Sequence, residues 1–285
     1  MFKQFARWRL DFIKVDCISA RPYRPTEIRQ IALAIKHSGR SMVLSLSPGP
    51  TALENAAALA EYGQTWRISD DHWDLWSAPQ KLNDAEFPFS LSEAFDRVEK
   101  WIKYAKPGSW PDEDMLPLGS LTPRPGWGAP RQSRLTRDEQ RTEFTLWAFA
   151  RSPLIVGANL TRLDDFTRSL LMNRDLINID QHGVDNHPVK FLSKGFEHLR
   201  VWESKDGVSP NSDDFFALFN LDDKPTTLTF TWDQLGHHGL SDAHSLFGGE
   251  PVDSTGRVQV TIPAHGCAAY KLTNKGTFEQ SRNSN

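Results

Sequence analysis

The chain has 285 residues, 39% hydrophobic and 24% charged, enough for one large domain or two medium ones around a sizeable core. A formal net charge of −3 with no dense run of Lys or Arg excludes an electrostatic footprint for nucleic acid or an anionic membrane surface, and no segment reaches the ~20 apolar residues of a membrane span or the apolar core of a signal peptide. Two cysteines, Cys17 and Cys267, exclude a disulfide framework and a CxxC metal site and decide no redox compartment.

Short apolar strands alternate with amphipathic helices up to about residue 180, the pattern of a parallel α/β architecture. Phe12-Ile13-Lys14-Val15-Asp16 reads as the first strand, with Lys14 and Asp16 on one face. After Thr26, the spacing of Ile28, Ile31, Ala32 and Ile35 predicts a helix that stops at Gly39. Met42 to Ser47 is the second strand. Thr51 with Glu54 forms a capping-box pattern ahead of an Ala-rich helix, and Thr65 to Ser69 is the third strand. A helix burying Phe95, Val98, Ile102 and Ala105 leads to a fourth strand with its loop between Trp110 and Leu118. Thr136 with Glu139 repeats the capping pattern, Phe144, Trp147 and Ala148 form an apolar stripe, and Leu154-Ile155-Val156 is the fifth strand. These are five β/α units of the size found in a barrel, where eight units take ~250 residues.

At His187-Pro188 the texture changes to short strands separated by Asp, Gly, Pro and Asn: Val201-Trp202, Phe215 to Phe219, Leu228 to Trp232, Val258 to Ile262 and Ala268 to Leu272. That spacing predicts a small antiparallel β-sandwich. The expected domains are 1–186 (barrel), 187–273 (sandwich) and a disordered tail at 274–285.

In a barrel the reactive side chains stand at the C-terminal ends of strands. The candidates there are Asp16, the pair Asp70 and Asp71, and the run Asp112, Glu113 and Asp114, although a charged residue closing a strand is as often a turn former. Asp16 and Asp71 sit on strands two apart, so their main chains are roughly 10 Å from each other at ~4.8 Å per strand. Side chains leaning inward close this to about the ~5–5.5 Å of a retaining glycosidase pair, while the ~6.5–9.5 Å of an inverting pair stays open. A buried Lys14 beside Asp16 keeps that carboxylate ionised, or is a structural ion pair. His72 among Asp70, Asp71 and Asp74 lacks the converging ligand set a metal needs, and Asp74 and Trp76 read as capping and packing the loop that presents Asp71. Asp112 and Asp114 read as supporting carboxylates. No Ser-His-Asp order, P-loop or GxGxxG is present. The ten Trp residues suit sugar faces as well as a core, the core being the commoner use.

Four motifs in order resemble glycoside hydrolase family 27, the α-galactosidases and α-N-acetylgalactosaminidases. Phe12-Ile13-Lys14-Val15-Asp16-Cys17 is similar to its Lys-x-Asp nucleophile strand, and Trp66-Arg67-Ile68-Ser69-Asp70-Asp71 to its Trp-Arg-x-x-x-Asp acid/base strand. Pro107 to Leu116 resembles its Gly-x-Trp-x-Asp-x-Asp-Met-Leu segment, and Leu146 to Gly157 its eighth strand with the preceding helix. The resemblance implies that Asp16 attacks the anomeric carbon, Asp71 is the acid/base, and Lys14 and Arg67 bind the sugar. It implies an α-galactoside oligosaccharide or glycoconjugate as substrate, and no cofactor or metal. The implied fold is α/β: a partial (β/α)8 TIM barrel, its last five β/α units, followed by a C-terminal antiparallel β-sandwich. The family's first three units have no counterpart, so an open barrel with unpaired strand edges, poor solubility and impaired activity is expected, with a related α-glycosidase such as an α-N-acetylgalactosaminidase, or a non-catalytic carbohydrate-binding remnant, as the alternatives. Cys17 directly follows Asp16 where the family has Asp-Asn-Cys, so the family's disulfide is not carried over. Ser47-Pro48-Gly49-Pro50-Thr51 lacks the Cys-Glu-Trp sequence that separates galactose from N-acetylgalactosamine, which leaves the sugar less defined than the reaction.

Overall fold

The computed structural model describes residues 1–78, 80, 87–123, 128–190, 195–207, 212–249 and 252–274. They form two units, residues 1–134 with 151–162, and residues 135–150 with 163 onward. Among the described residues, no helix is long and apolar enough to cross a membrane.

The first unit runs α1 (Phe2–Arg7), β1 (Phe12–Val15), α2 (Pro25–Lys36), β2 (Val43–Leu46), α3 (Ala56–Tyr62), β3 (Thr65–Arg67), α4 (Leu91–Trp101) and β4 (Trp110–Asp112), followed by the two-residue strands β5 (Ser120–Leu121) and β6 (Arg131–Gln132). Strands β1 to β4 are parallel and lie side by side in chain order. Because alternate residues face opposite sides, Leu44, Leu46 and Trp66 pack against Ile28, Ile35 and Leu59 of the covering helices. Each such side chain, fully buried, stabilises the unit by about 1.5–3 kcal/mol. The opposite face carries Lys14, Ser45 and Thr65, level with one another.

The expected fifth strand is reduced to one parallel bridge between Val156 and Leu116. The Ile155 N–H is spent locally on the Pro153 carbonyl at 2.9 Å, so the ladder cannot extend. Thr51 and Glu54 make no capping box. The Thr51 N–H donates instead to the Arg67 carbonyl at 3.1 Å, which pins the residue to β3, and a 3-10 turn at Leu53–Asn55 leads into α3. The pattern at Thr136 is realised: its N–H donates to Glu139 Oε2 at 2.7 Å and its Oγ1 accepts from the Glu139 N–H at 3.2 Å.

The second unit contains α5 (Arg137–Ala150), α6 (Asp165–Leu171), α7 (Arg174–His182), β7 (Gly183–Val189), β8 (Leu199–Asp206), β9 (Asp214–Asn220), β10 (Thr226–Thr231), β11 (Leu240–Ser245), β12 (Arg257–Ile262) and β13 (Cys267–Asn274). A five-stranded antiparallel sheet, β11-β13-β9-β8-β7, accompanies the pair β10-β12. Their apolar faces share one core, in which Val201, Phe216 and Leu218 meet Leu228, Phe230 and Val258. Strands β7 and β11, which the sequence pattern did not reveal, are the two edges of the larger sheet. An edge tolerates Pro188 and polar residues such as Asp242 and His244, so it carries a weak apolar signal. The expected disordered tail, beyond Asn274, lies outside the described residues.

One ion cluster is expected to make the stability of this unit depend on pH. His237 Nε2 lies 3.2 Å from Glu203 Oε1 and its Nδ1 lies 3.6 Å from Asp214 Oδ2, with the ring edge-on to Phe216. Burial alone would lower the imidazole pKa, but Asp214 and Glu203 outweigh it and push it up to about 9. A raised folded pKa stabilises fully below the unfolded value of ~6.5 and is lost as pH rises through the folded one. Stability should therefore fall by on the order of 2–3 kcal/mol between pH 6.5 and 9. Thermal melts across that range should show the fall in the parent chain and a flat response in His237→Gln; equal slopes in both would remove the cluster as the cause.

Candidate active site

One step beyond the level of Val15, Leu46, Trp66 and Pro111 stand Asp16, Ser47, Arg67 and Asp112, with Arg67 and Asp112 directly paired in register. Parallel strands in register point equivalent side chains to the same side, so these four share the polar face at the C-terminal end of the sheet. Asp16 and Lys14 are both exposed and, among the described residues, make no hydrogen bond or ion pair. The expectation of a buried Lys14 is corrected: the face on which β1 carries it is open. After Asp16 the chain turns sharply through Cys17, whose φ is +63°, and the Ile18 N–H reaches the Ser47 carbonyl at 3.2 Å.

The loops that follow the strands are tied to one another. Ser19 Oγ donates to the Pro48 carbonyl at 2.6 Å, and Arg21 Nη2 donates to the Gly49 carbonyl at 2.9 Å and to Asp70 Oδ2 at 2.6 Å. Gly49 is required there, because a Cβ would sit 1.8 Å from the Ser69 carbonyl oxygen. Asp70 is thus 6% exposed and neutralised by Arg21, while its Oδ1 accepts the Asp71 N–H at 2.8 Å. Asp71, with a side chain 44% exposed, is the accessible member of the pair.

Beneath Asp71 lies Arg67, 2% exposed. Its Nη1 contacts Asp114 Oδ1 at 2.9 Å, and its Nη2 reaches Asp71 Oδ1 at 3.4 Å and the Ser69 carbonyl at 3.2 Å. Asp114, at φ +88°, also accepts the His72 N–H on Oδ2 at 2.9 Å, and its own N–H donates to Asp112 Oδ1 at 2.8 Å. His72 turns its buried ring edge-on to Phe89. Burial raises the Asp71 carboxyl above the ordinary aspartate range, opposed by Arg67 and helped by the charges of Asp114 and Asp70. Burial likewise raises Asp112, and raises the enclosed Glu113 carboxyl well above its usual value. The arrangement thus offers an exposed carboxylate, Asp16, and a second carboxyl, Asp71, biased toward holding a proton.

The sequence pointed to Asp16, Lys14, Arg67 and Asp71, and all four stand on or just beyond β1 and β3. It did not point to Arg21, whose ion pair spans 49 residues and leaves no local pattern.

Residues 2–182 match the family Alpha galactosidase A, and residues 200–272 match the Alpha galactosidase C-terminal beta sandwich domain. The chain is similar to a GH27 β-L-arabinopyranosidase from Geobacillus stearothermophilus, at 34% identity and TM-score 0.84, covering 98% of this chain and 61% of that one. A variant of that protein in complex with arabinose superposes at TM-score 0.83. Alpha-galactosidase 2 of Arabidopsis thaliana is 27% identical over 281 residues, which are 96% of this chain and 62% of the relative. The chain therefore spans about three fifths of these relatives' length.

Proposed function

The chain belongs to the alpha galactosidase A family of glycoside hydrolases, and on that premise we propose that it hydrolyses terminal, non-reducing α-D-galactosyl residues with retention of configuration. Asp16 attacks the anomeric carbon as the bond to the aglycone oxygen breaks, and Asp71 gives that oxygen its proton. Asp71 then takes a proton from water, whose oxygen displaces Asp16 from the sugar, and both carboxyl groups return to their starting states. Lys14 binds sugar hydroxyls beside the nucleophile. Arg67 holds Asp71 and Asp114 and hydrogen-bonds the 2-hydroxyl of the sugar. What carries this reading is the contrast within the Asp70–Asp71 pair: one carboxylate is neutralised by Arg21, the other is accessible and raised in pKa.

A second sugar is favoured by one observation, the likeness to the β-L-arabinopyranosidase. A β-L-arabinopyranoside has the ring stereochemistry of an α-D-galactoside without its hydroxymethyl group, so the same two carboxyls would serve both. Nitrophenyl α-D-galactopyranoside, β-L-arabinopyranoside and α-N-acetylgalactosaminide, assayed side by side, distinguish them. We expect the galactoside to be turned over fastest, with the α-anomer as first product by NMR. β-Galactose as first product from the galactoside, or hydrolysis of none of the three, would overturn the reading.

A further inference from the structure

Asp74 lies three residues beyond Asp71 on the segment that leaves β3, and its side chain is wholly buried. A buried carboxylate persists only where donors replace water. Arg131 of β6 supplies Nε to Oδ2 at 2.9 Å and Nη2 to Oδ1 at 2.5 Å, a bidentate fork. Arg134 adds its backbone N–H to Oδ2 at 3.0 Å, Nε to Oδ2 at 3.2 Å and Nη2 to Oδ1 at 3.2 Å. The Arg131 guanidinium also lies 5.7 Å from the centroid of the Trp73 ring, one residue closer to Asp71.

Other bonds also hold the segment, among them the His72 N–H to Asp114 Oδ2 at 2.9 Å and the Asp71 N–H to Asp70 Oδ1 at 2.8 Å. The Asp71 carbonyl accepts the Phe89 N–H at 3.0 Å, and the Trp73 N–H reaches the Phe89 carbonyl at 3.3 Å. Asp71's own contact with Arg67 is long at 3.4 Å, so Arg67 alone does not fix the direction of its carboxyl. The fork at Asp74, with five bonds from two arginines, ties the stretch to a separate element, the strand pair β5-β6 and its exit.

We propose that Asp74 is a positioning residue for the general acid, its clamp by Arg131 and Arg134 fixing residues 71–74 so that the Asp71 carboxyl is aimed at the leaving-group oxygen. The inference rests on the reading of Asp71 as the acid/base. Burial alone would raise the Asp74 carboxyl, and the bonds from Arg131 and Arg134 overcome it and hold the group below the usual aspartate range, so the clamp is charged at every working pH. Misplacing a reacting group by about an ångström costs on the order of a hundredfold in rate, and a mis-aimed acid suffers only where protonation is needed.

The test compares Asp74→Asn, Arg134→Gln and Asp71→Ala with the parent protein, on methyl α-galactoside, whose leaving group needs a proton, and on an activated dinitrophenyl α-galactoside, which does not. Asp74→Asn should lose about a hundredfold in kcat/KM on the methyl glycoside and only a few-fold in kcat/KM on the aryl one. Arg134→Gln, whose parent side chain is 57% exposed, leaves the Arg131 fork in place and should shift the ratio in the same direction by less. Equal losses on both substrates in Asp74→Asn and Arg134→Gln, with a lowered melting temperature, would reduce the clamp to a structural role and overturn the proposal, even where Asp71→Ala keeps its selectivity. If Asp71→Ala itself shows no leaving-group selectivity, the acid/base reading falls and the clamp proposal with it.

Discussion

Asp16→Ala is expected to lower kcat on any glycoside by at least about 10⁴-fold, because in the proposed mechanism its carboxylate forms the covalent bond on which retention depends. The fold is expected to be unaffected. Asp16 is exposed and makes no hydrogen bond or ion pair among the described residues, and substitutions at such positions stay within about 0.5 kcal/mol. Two measurements separate loss of the nucleophile from loss of structure. A fluorinated galactosyl donor, which forms the covalent intermediate but releases it slowly, should place its mass on the peptide containing Asp16. Azide added to Asp16→Ala should restore turnover by entering the vacated side and give β-galactosyl azide, the inverted product. A label on another peptide would sink the assignment of Asp16, as would an azide product of retained configuration.

The parallel sheet was legible in the sequence because its strands are buried against helices on one side, which leaves short apolar runs between amphipathic segments. Where the apolar signal fades, so did the reading. The segment at Leu154 to Val156 has the right residues, but Pro153 captures the Ile155 amide and only a bridge to Leu116 remains. Strands β7 and β11 are edges, wetted on one flank and rich in polar residues, and no run of apolar side chains announces them. Strand-end placement pointed to Asp16 and Asp71 as candidates and the Trp66-Arg67 resemblance to Arg67, and the register levels Arg67 with Asp112 one step beyond Trp66. What surrounds them follows from no local rule. Arg21 reaches Asp70 across 49 residues and Arg131 reaches Asp74 across 57, and pairs so distant meet only when the loops have folded onto one another. The left-handed turns at Cys17 and Asp114, residues without the freedom of glycine, are equally invisible in sequence and aim the chain at the site.

Asp71→Ala should separate the two halves of acid catalysis. A positioned general acid contributes about 10²–10⁴-fold when the leaving group is an alkoxide and far less when it is a stable phenolate. Loss of kcat/KM, which reports formation of the glycosyl intermediate, should therefore span that range on methyl or oligosaccharide glycosides and shrink to a small factor on a dinitrophenyl glycoside, whose kcat still falls because the base of the second step is gone. The half-buried, charge-crowded position of Asp71 adds a pH signature. Burial, with Asp114 and Asp70 nearby, raises its carboxyl above the ordinary aspartate range, and a general acid works only while protonated. The alkaline limb of the parent profile should lie higher than an ordinary aspartate would place it, and Asp71→Asn should abolish that limb. Azide added to Asp71→Ala should yield α-galactosyl azide, the retained product, since the glycosyl–Asp16 intermediate forms as before and only the base that activates water is missing. Asp70 provides the internal control. Its carboxylate is bound to Arg21 and directed into the loop, so Asp70→Ala should disturb stability and the Asp71 amide contact without selectivity between leaving groups. Leaving-group selectivity in Asp70→Ala, together with its absence in Asp71→Ala, would mean that the acid is the neighbour and that the loop presents the other face to the sugar.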